Sequence, residues 1–208
     1  MGSGSLAPPA ADLGPARGEP QMPIDETSTP EISIRPAEVR DAAAHADFLL
    51  LHMAESGKDG SPVFAPGHRP NRSEMMDSAA ARWARKLTQP MWGRQWFLVS
   101  RDRGIVGHIE LRGGRIPPEL HRATLGMGIL RDFTGKGHGK RLLDTAITWA
   151  REETSLVWID LGVFAGNEPA RKLYARYGFV EQHTRADAFR HPDAGSIDDI
   201  QMTFALRA

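Results

Sequence analysis

The stretch Ala123–Gly139 constrains the fold most, because its hydrophobic period changes at a run of glycines. Four apolar residues alternate between Ala123 and Ile129, which is the period of a strand, and Gly126 and Gly128 occupy two of the positions between them. A helical period follows the last glycine, so the stretch predicts a strand, a glycine turn and a helix N-terminus. Free backbone amides and the helix dipole favour an anion there, and glycine within a strand often marks close approach by a ligand. We therefore expect this turn to bind a phosphate group.

Two common phosphate-binding motifs do not fit the turn. A P-loop has Gly five residues before its Gly-Lys pair and Ser or Thr after it, whereas Gly139-Lys140 has Thr134 and Arg141 at those places. The dinucleotide fingerprint G-x-G-x-x-G ends on Lys140 when it is started at Gly135. A glycine-rich turn that binds no ligand is the remaining alternative.

A third motif matches better. TGKGHG, at Thr134–Gly139, resembles the Q/R-G-x-G-x-G loop of the GNAT superfamily of N-acetyltransferases, whose amides hold the pyrophosphate of coenzyme A. Thr134 departs from the family's Gln or Arg, which affects one side-chain contact but not the backbone amides. The later stretch VFAGNEPARKLYARYGFVEQ resembles the last conserved GNAT motif, N-x-x-A-x-x-L-Y-x-x-x-G-F, with Asn167 at the start of a helix. The two motifs occur in the family's order, and the resemblance covers about Ile32–Leu206.

Hydrophobic patterns elsewhere predict a mixed α/β domain, since strands and helices alternate after an antiparallel start. We expect a helix over Val39–Ala54, a second helix capped by Ser73 that runs from Glu74 to about Leu87, and two closing strands that frame the loop ADAFRHPDAGS. The resemblance implies a GNAT-like α/β (mixed α+β) fold. Its central sheet is mixed and largely antiparallel, splays between two strands, and carries helices on both faces.

Composition narrows the class of protein. Lys plus Arg equals Asp plus Glu at 26 each, and no apolar segment approaches membrane-spanning length, so we expect no nucleic-acid or membrane partner. The chain has no cysteine, which excludes an acyl-cysteine intermediate, and its histidines lack HExxH spacing, so we expect no metal. We interpret residues 1–30 as a disordered extension, in part from a cloning linker, and residues 31–208 as a single domain. We expect a cytoplasmic monomer or homodimer.

The resemblance implies that acetyl-coenzyme A (acetyl-CoA) is the co-substrate. Its pantetheine arm would pair with the glycine strand as an added strand does, with Met127 and Ile129 as backbone partners and the Ile129 amide polarising the thioester carbonyl. Asn167 would contact the same arm, and a plain helix N-cap is its alternative role. The residues implied in acetyl-CoA binding are Met127, Ile129, Leu130, Thr134, Gly135, Lys136, Gly137, His138, Gly139, Lys140, Asn167 and Tyr174.

The family motif also implies that Tyr174 directs its hydroxyl at the coenzyme A sulfur as a general acid. Proton transfer from a tyrosine near pKa ~10 to a thiolate near pKa ~8.5 is uphill by roughly 2 kcal/mol, so a strong hydrogen bond is at least as consistent with this role. A buried core aromatic is the alternative. Tyr177 shares the predicted helix face and is the comparison residue.

Glu110 is our candidate for the general base. An alkylamine with a pKa of about 10.4 is almost wholly protonated at neutral pH and must lose a proton before it attacks. Glu110 lies on a strand of a sheet covered on both faces, where a carboxylate needs a partner or a purpose. Pairing with Arg112 or Arg122 is the alternative, and deprotonation through a water chain needs no single residue. Weaker candidates are His108, Glu119 and His121.

Together these patterns predict an acetyl-CoA-dependent N-acetyltransferase that transfers an acetyl group to a primary amine by direct attack in a ternary complex. A catalytically weak acyl-CoA-binding sensor or scaffold with the same fold is the alternative. The acceptor stays open between a small-molecule amine and a protein amine. In the family it is shaped by the first helix–loop–helix, here Gly57–Arg72, and by the loop between the last two strands, here RADAFRHPDAGSIDD.

Overall fold

The computed structural model describes residues 1–2, 32–68 and 70–207, so the predicted extension lies almost wholly outside the described residues. The strands are β1 (Ile32–Pro36), β2 (Gly93–Ser100), β3 (Gly104–Gly113), β4 (Arg122–Ile129), β5 (Trp158–Phe164), β6 (Val180–His191) and β7 (Gly195–Ala205). The helices are α1 (Ala42–Ala54), α2 (Arg72–Ala84), α3 (His138–Glu153) and α4 (Glu168–Tyr177). Short 3₁₀ segments are Val39–Asp41, Pro117–Glu119 and Arg131–Phe133.

Seven strands form one sheet in the order β1-β2-β3-β4-β5-β7-β6, and each described pairing is antiparallel except that of β4 with β5. Helices α1 and α2 cover one face, where the ring of His45 on α1 lies 5.4 Å from that of His108 on β3. Helix α3 covers the other face, where Trp149 packs edge to face on Trp96 at 5.3 Å. The predicted mixed, largely antiparallel sheet with helices on both faces is confirmed.

The parallel pairing of β4 with β5 is short. The two strands run together for three residue pairs, ending at Thr124 and Asp160, and then separate. Asp160 accepts hydrogen bonds from Nε and Nη2 of Arg122 at 2.8 and 2.6 Å, and from Oγ1 of Thr203 on β7 at 2.7 Å. These bonds fix the closed end of the splay, and beyond it the edge of β4 is open as far as Ile129.

The sequence pattern accounts for helices α3 and α4. The apolar face of α3 is buried in the core through Leu142, Leu143, Ala146, Ile147 and Ala150. Helix α4 begins after Asn167, whose Oδ1 accepts from the amide of Ala170, and ends at Gly178, where φ is +97°. That left-handed conformation favours glycine and stops the helix.

The predicted cap of α2 was wrong. Asn71 caps the helix, because its side-chain oxygen accepts from the amide of Ser73 at 2.8 Å and from that of Glu74 at 3.4 Å. The helix therefore begins at Arg72, and it ends at Ala84 rather than near Leu87. Asn71 and Ser73 are both of cap-forming type and only two positions apart, so the sequence left the choice open.

The predicted loop between the closing strands was also wrong. Pairing of β6 with β7 continues as far as His191 and Gly195, so most of ADAFRHPDAGS is strand. The register shifts around Asp187, where φ is +51°. Because β6 is an exposed edge strand with polar residues on both faces, it lacks the alternation that predicts a strand.

Candidate active site

A cleft of about 1670 Å³ opens where β4 and β5 separate. It extends from beneath α1 and α2, past the open edge of β4, to the first turns of α3 and α4. The predicted site residues that line it are Glu110, Met127, Ile129, Thr134, Gly135, Gly137, Gly139, Lys140, Asn167 and Tyr174.

Three residues predicted to bind acetyl-CoA are not among the described residues that line the cleft. Leu130 is buried in the core, and the ring of His138 is buried beside the guanidinium of Arg141. The ammonium group of Lys136 lies 5.6 Å from the ring centre of Phe133. Lys136 and His138 would have to contribute through the backbone, which is what the resemblance implies for the loop. The Leu130 backbone is engaged within the protein, because its amide donates to Val106 and its carbonyl accepts from Phe133.

The open edge of β4 presents backbone groups to the cleft. The amide of Leu130 donates to the carbonyl of Val106 at 2.9 Å, on the β3 side. Because such bonds alternate along an antiparallel pair, Met127 and Ile129 direct their N–H and C=O groups to the opposite edge. Strand β5 offers them no partner, since its pairing with β4 ends at Thr124. An extended ligand can pair with this edge as an added strand would.

Gly126 and Gly128 make room for side chains of the protein. A Cβ atom at Gly126 would lie 2.9 Å from Oε1 of Glu110, and one at Gly128 would lie 2.5 Å from Nε2 of His52. The His52 ring stacks on that of Phe64, with centroids 4.4 Å apart. The close approach expected at these glycines is therefore made by Glu110 and His52.

The N-terminus of α3 carries free amides. Its N-cap, Gly137, has φ +79° and no side-chain cap, and the amide of Arg141 is the first to bond back, to the Gly137 carbonyl. Gly135 has φ +71°, and a Cβ atom at either of these glycines would meet no atom within 4 Å. Gly139 faces inward instead, where a Cβ would lie 2.9 Å from Leu173. An uncapped, open turn at the positive end of a helix dipole suits an anion such as phosphate.

Two polar side chains beside this turn are engaged within the protein. Nζ of Lys140 pairs with Asp144 at 2.8 Å, and Oγ1 of Thr134 donates to the carbonyl of Arg131 at 2.8 Å. The backbone amides are therefore the main donors that the turn offers to a ligand.

Tyr174 and Tyr177 lie on α4 in different surroundings. Tyr174 is buried against Phe179, with ring centroids 5.7 Å apart, and also lines the cleft. Burial raises the pKa of Tyr174 above its usual value of about 10, so its hydroxyl is protonated at neutral pH. Tyr177 is more exposed and donates to Asp144, which ties α4 to α3. Both tyrosines line the cleft, but the Tyr177 hydroxyl is engaged by Asp144, whereas the Tyr174 hydroxyl is a neutral donor group beside the cleft.

Asn167 lies where it could serve either of its two expected roles, contact with the ligand or the cap of α4. It lines the cleft at the start of α4, and its Oδ1 caps the helix through the amide of Ala170 at 3.4 Å. At 3.4 Å this hydrogen bond is long, so the side-chain amide of Asn167 is held only weakly in the cap.

Glu110 lies in the half of the cleft beneath α1 and α2. Its Oε1 is 3.5 Å from Nε of Arg112, and its Oε2 is 4.0 Å from Nη2 of Arg82 on α2. Arg122, the other partner considered, binds Asp160 instead. Glu110 is therefore both a cleft residue and a member of a loose ionic cluster.

Of the weaker base candidates, His108 lines the cleft, and burial lowers its pKa to about 3, so it is neutral at pH ~7. Glu119 accepts a hydrogen bond from the amide of Arg115 at 2.7 Å. In the same turn before β4, Nδ1 of His121 lies 3.0 Å from the carbonyl oxygen of Pro118. Neither is among the described residues that line the cleft.

A buried polar cluster beneath α1 was not predicted from the sequence. Nε2 of Gln95 lies 2.7 Å from a ring nitrogen of His45 and 2.9 Å from one of His108. Burial lowers the pKa of His45 to about 3 and that of His52 to about 4, so these rings are neutral at pH ~7. No motif joins residues so far apart in the chain. The available signal was strand periodicity, which places His108 on the face of Glu110.

One of the two segments expected to shape the acceptor site lines the cleft. The connection between α1 and α2 contributes Gly60 and Phe64 to its wall. The described part of the β6–β7 hairpin contacts this connection from outside, since a Cβ at Gly67 would lie 2.7 Å from Pro192.

A model of the Acetyltransferase (GNAT) family matches residues 67–179, a span that includes the glycine turn, the splayed strands and Tyr174. The chain belongs to the GNAT family. The match confirms the resemblance seen in the sequence, and the sheet has the family's splay at the position where the cleft opens.

Proteins named as acetyltransferases resemble the chain in sequence or in fold. YycN, an uncharacterized N-acetyltransferase of Bacillus subtilis, is 31% identical over 86 residues, which are 41% of this chain and about half (54%) of YycN. YdaF of B. subtilis, named provisionally as a ribosomal N-acetyltransferase, is 26% identical over 75% of this chain and 81% of its own. YncA of Salmonella typhimurium, solved with its cofactor acetyl-CoA, shares the fold with a TM-score of 0.69 at 16% identity, over 86% of this chain and 95% of its own.

The described residues contain neither a candidate metal site nor a membrane-spanning helix. Among the described residues, no three potential ligand side chains come together in a way that could hold a metal ion. No described helix has both the length and the apolar character needed to cross a membrane.

Proposed function

We propose that the chain is an N-acetyltransferase that uses acetyl-CoA and transfers the acetyl group to a primary amine by direct attack. The observation that carries the proposal is the continuous path from the open edge of β4 to the uncapped first turn of α3. Tyr174 lies beside this path and Glu110 lies at its other end. Family membership supports the same activity.

The residues present suit acetyl-CoA. The free amides at His138, Gly139 and Lys140 would hold the pyrophosphate, and the open space at Gly135 and Gly137 admits it close to the backbone. The outward-facing groups of Met127 and Ile129 would pair with the pantetheine arm. The bound co-substrate supplies an activated acetyl group, and an amide of this edge is then available to the thioester oxygen.

Glu110 would accept the proton that the amine loses before attack. Its carboxylate lies in the cleft beside two arginines at 3.5 and 4.0 Å, which are longer than hydrogen-bonded distances and leave its oxygens available. The guanidinium charges also favour the neutral form of a nearby amine, because like charges lower its pKa.

Tyr174 would donate a hydrogen bond to the departing sulfur. Since burial raises the pKa of Tyr174, full proton transfer to a thiolate becomes less favourable than it is for an ordinary tyrosine. We therefore assign the hydroxyl to stabilising the thiolate by a hydrogen bond that strengthens as the carbon–sulfur bond breaks.

The test is to incubate the full chain with acetyl-CoA and a library of amines, following thiol release and identifying products by mass spectrometry. Calorimetry with acetyl-CoA alone runs in parallel. Acetylated product that depends on the protein is the expected result. Tight binding of acetyl-CoA with no product from any amine would instead favour the sensor or scaffold alternative.

A further inference from the structure

The half of the cleft beneath α1 and α2, the acceptor half, has an unequal distribution of charge around Glu110. Arg82 from α2 and Arg112 from β3 flank the single carboxylate, so two fixed positive charges face one negative charge. The side chains of Glu110 and Arg82 are only 15% and 19% exposed, so solvent screens these two charges weakly, whereas Arg112 lies closer to solvent at 43% exposed.

The two arginines are not satisfied by Glu110. Their nitrogens lie 3.5 and 4.0 Å from its oxygens, outside the range of about 2.7–3.2 Å for a good N–H···O bond. Nε of Arg82 is buried without a hydrogen-bond partner among the described residues, while its Nη1 donates to Ser78. A guanidinium has five donors in a planar fork that matches a carboxylate, so this pair has donors to offer a ligand.

The other charged side chains that line this half are Glu55, Asp59, Glu74 and Arg131, so the excess of positive charge is confined to the immediate surroundings of Glu110. His45, His52 and His108 face Glu110 and Arg82 from α1 and β3, and all three are neutral because burial holds their pKa at about 3 or 4. Glu55 accepts from the amide of Arg131, and Asp59 pairs with its guanidinium at 2.9 Å. Glu74 stands at the opposite end of α2, eight residues or about 12 Å along the helix from Arg82.

We propose that the acceptor is an α-amino acid, whose carboxylate binds Arg82 and Arg112 while its amine faces Glu110. An α-amino acid presents the two charges on one carbon, so one ligand can satisfy the free donors of the arginines and the carboxylate of Glu110 together. A polyamine has no anionic group for the free donors of Arg82 and Arg112, and its ammonium groups would be repelled by their positive charges. An amide or a protein N-terminus lacks the anionic group that the fork accepts.

This inference rests on the proposed function, and the experiment separates the two. Each proteinogenic amino acid is compared with its own amide and its decarboxylated amine, with spermidine as the polyamine, in thiol-release assays with acetyl-CoA. We expect at least one amino acid to exceed its amide and its amine in kcat/KM by about 10-fold or more, the size of one charge-assisted hydrogen bond. Equal or better turnover of amides, simple amines or spermidine overturns the acceptor class and leaves the acetyltransferase assignment in place. No product from any amine removes both.

Two variants test the arginines directly. Arg112→Gln changes a side chain that is 43% exposed, so we expect the variant to fold, and Arg82→Gln provides a second measurement. In each, the ratio of kcat/KM for the amino acid over its amide should fall about 10-fold. The matched control is Arg85→Gln, an exposed arginine at the C-cap of α2 that bonds the carbonyls of Pro90 and Met91, and its ratio should stay at the wild-type value. Equal ratios in all three variants would overturn the assignment of the arginines.

Discussion

Replacing Gly128 by alanine tests whether the glycines of β4 serve the protein or its ligand. The added Cβ would lie 2.5 Å from Nε2 and 2.6 Å from Cδ2 of His52. The ring cannot move aside freely, because it stacks between Phe48 at 5.8 Å and Phe64 at 4.4 Å. We therefore expect the substitution to disturb α1 and the wall of the acceptor half, and to leave the glycine turn before α3 unchanged.

The cost follows from the rigidity of this stack. Overpacking of a well-packed site costs about 1–3 kcal/mol. For a protein of this size, each kcal/mol lowers the melting temperature by about 2–4 °C, so a fall of roughly 2–12 °C is expected. Gly126→Ala is the matched control, since its Cβ would meet Oε1 of Glu110 at 2.9 Å, the far end of a flexible side chain.

The assay combines thermal denaturation with calorimetric titration of acetyl-CoA. We expect Gly128→Ala to melt below both the wild type and Gly126→Ala, and to keep the affinity for acetyl-CoA within about threefold. Unchanged melting with a large loss of acetyl-CoA affinity would refute the reasoning, because it would show that the ligand rather than His52 occupies the space at Gly128.

Three further predictions concern the proposed site. Gly137→Val should weaken acetyl-CoA binding at least about 10-fold, because the side chain would block the free amides of α3. Gly104→Val in the β2–β3 turn has the same left-handed strain and open surroundings and should not weaken binding. Equal affinities of the two variants in calorimetry would remove the glycine turn from the site. Tyr174→Phe should lower kcat by ~10²–10⁴-fold with little change in KM for acetyl-CoA. Tyr177→Phe is the control and should lose only its hydrogen bonds to Asp144 and to the Lys140 carbonyl, and similar small effects at both tyrosines would make Tyr174 a core residue alone. Acid should destabilise the fold between about pH 7 and pH 5. The pKa values of the buried His45, His108 and His52 are about 3, 3 and 4 in the folded protein, below the unfolded value near 6.5, so the unfolded chain binds protons first as the pH falls. Each ring therefore lowers the free energy of unfolding by about 2 kcal/mol at pH ~5. A urea midpoint that stays constant over this range would contradict the last prediction.

The parts of the fold that the sequence predicted are those with local signals. The Asn167 cap, the Gly178 stop and the apolar face of α3 all lie within single elements, and each formed as expected. The splay between β4 and β5 was expected from the family resemblance, since no local pattern records where two distant strands stop pairing.

The parts that were missed depend on how elements meet. Arg82 lies on α2 and reaches Glu110 on β3, and His45 on α1 reaches Gln95 on β2, across many intervening residues. Glu110 was identified by strand periodicity, but its partner Arg82 follows from the packing of α2 on the sheet. The long β6 escaped prediction because its polar residues face solvent on both sides and give no hydrophobic period.

The three residue pairs that join β4 to β5 also have a thermodynamic consequence. These pairs join two smaller sheets, one of β1 to β4 and the other of β5 to β7. The joint is held by the hydrogen bonds that Asp160 accepts from Arg122 and Thr203. A ligand arm that pairs along β4 would lengthen this joint, so its binding free energy would add to the free energy of unfolding. At about 100 times its dissociation constant, such a ligand contributes about 2.7 kcal/mol. The resistance of the protein to heat and proteolysis would then follow the supply of its co-substrate.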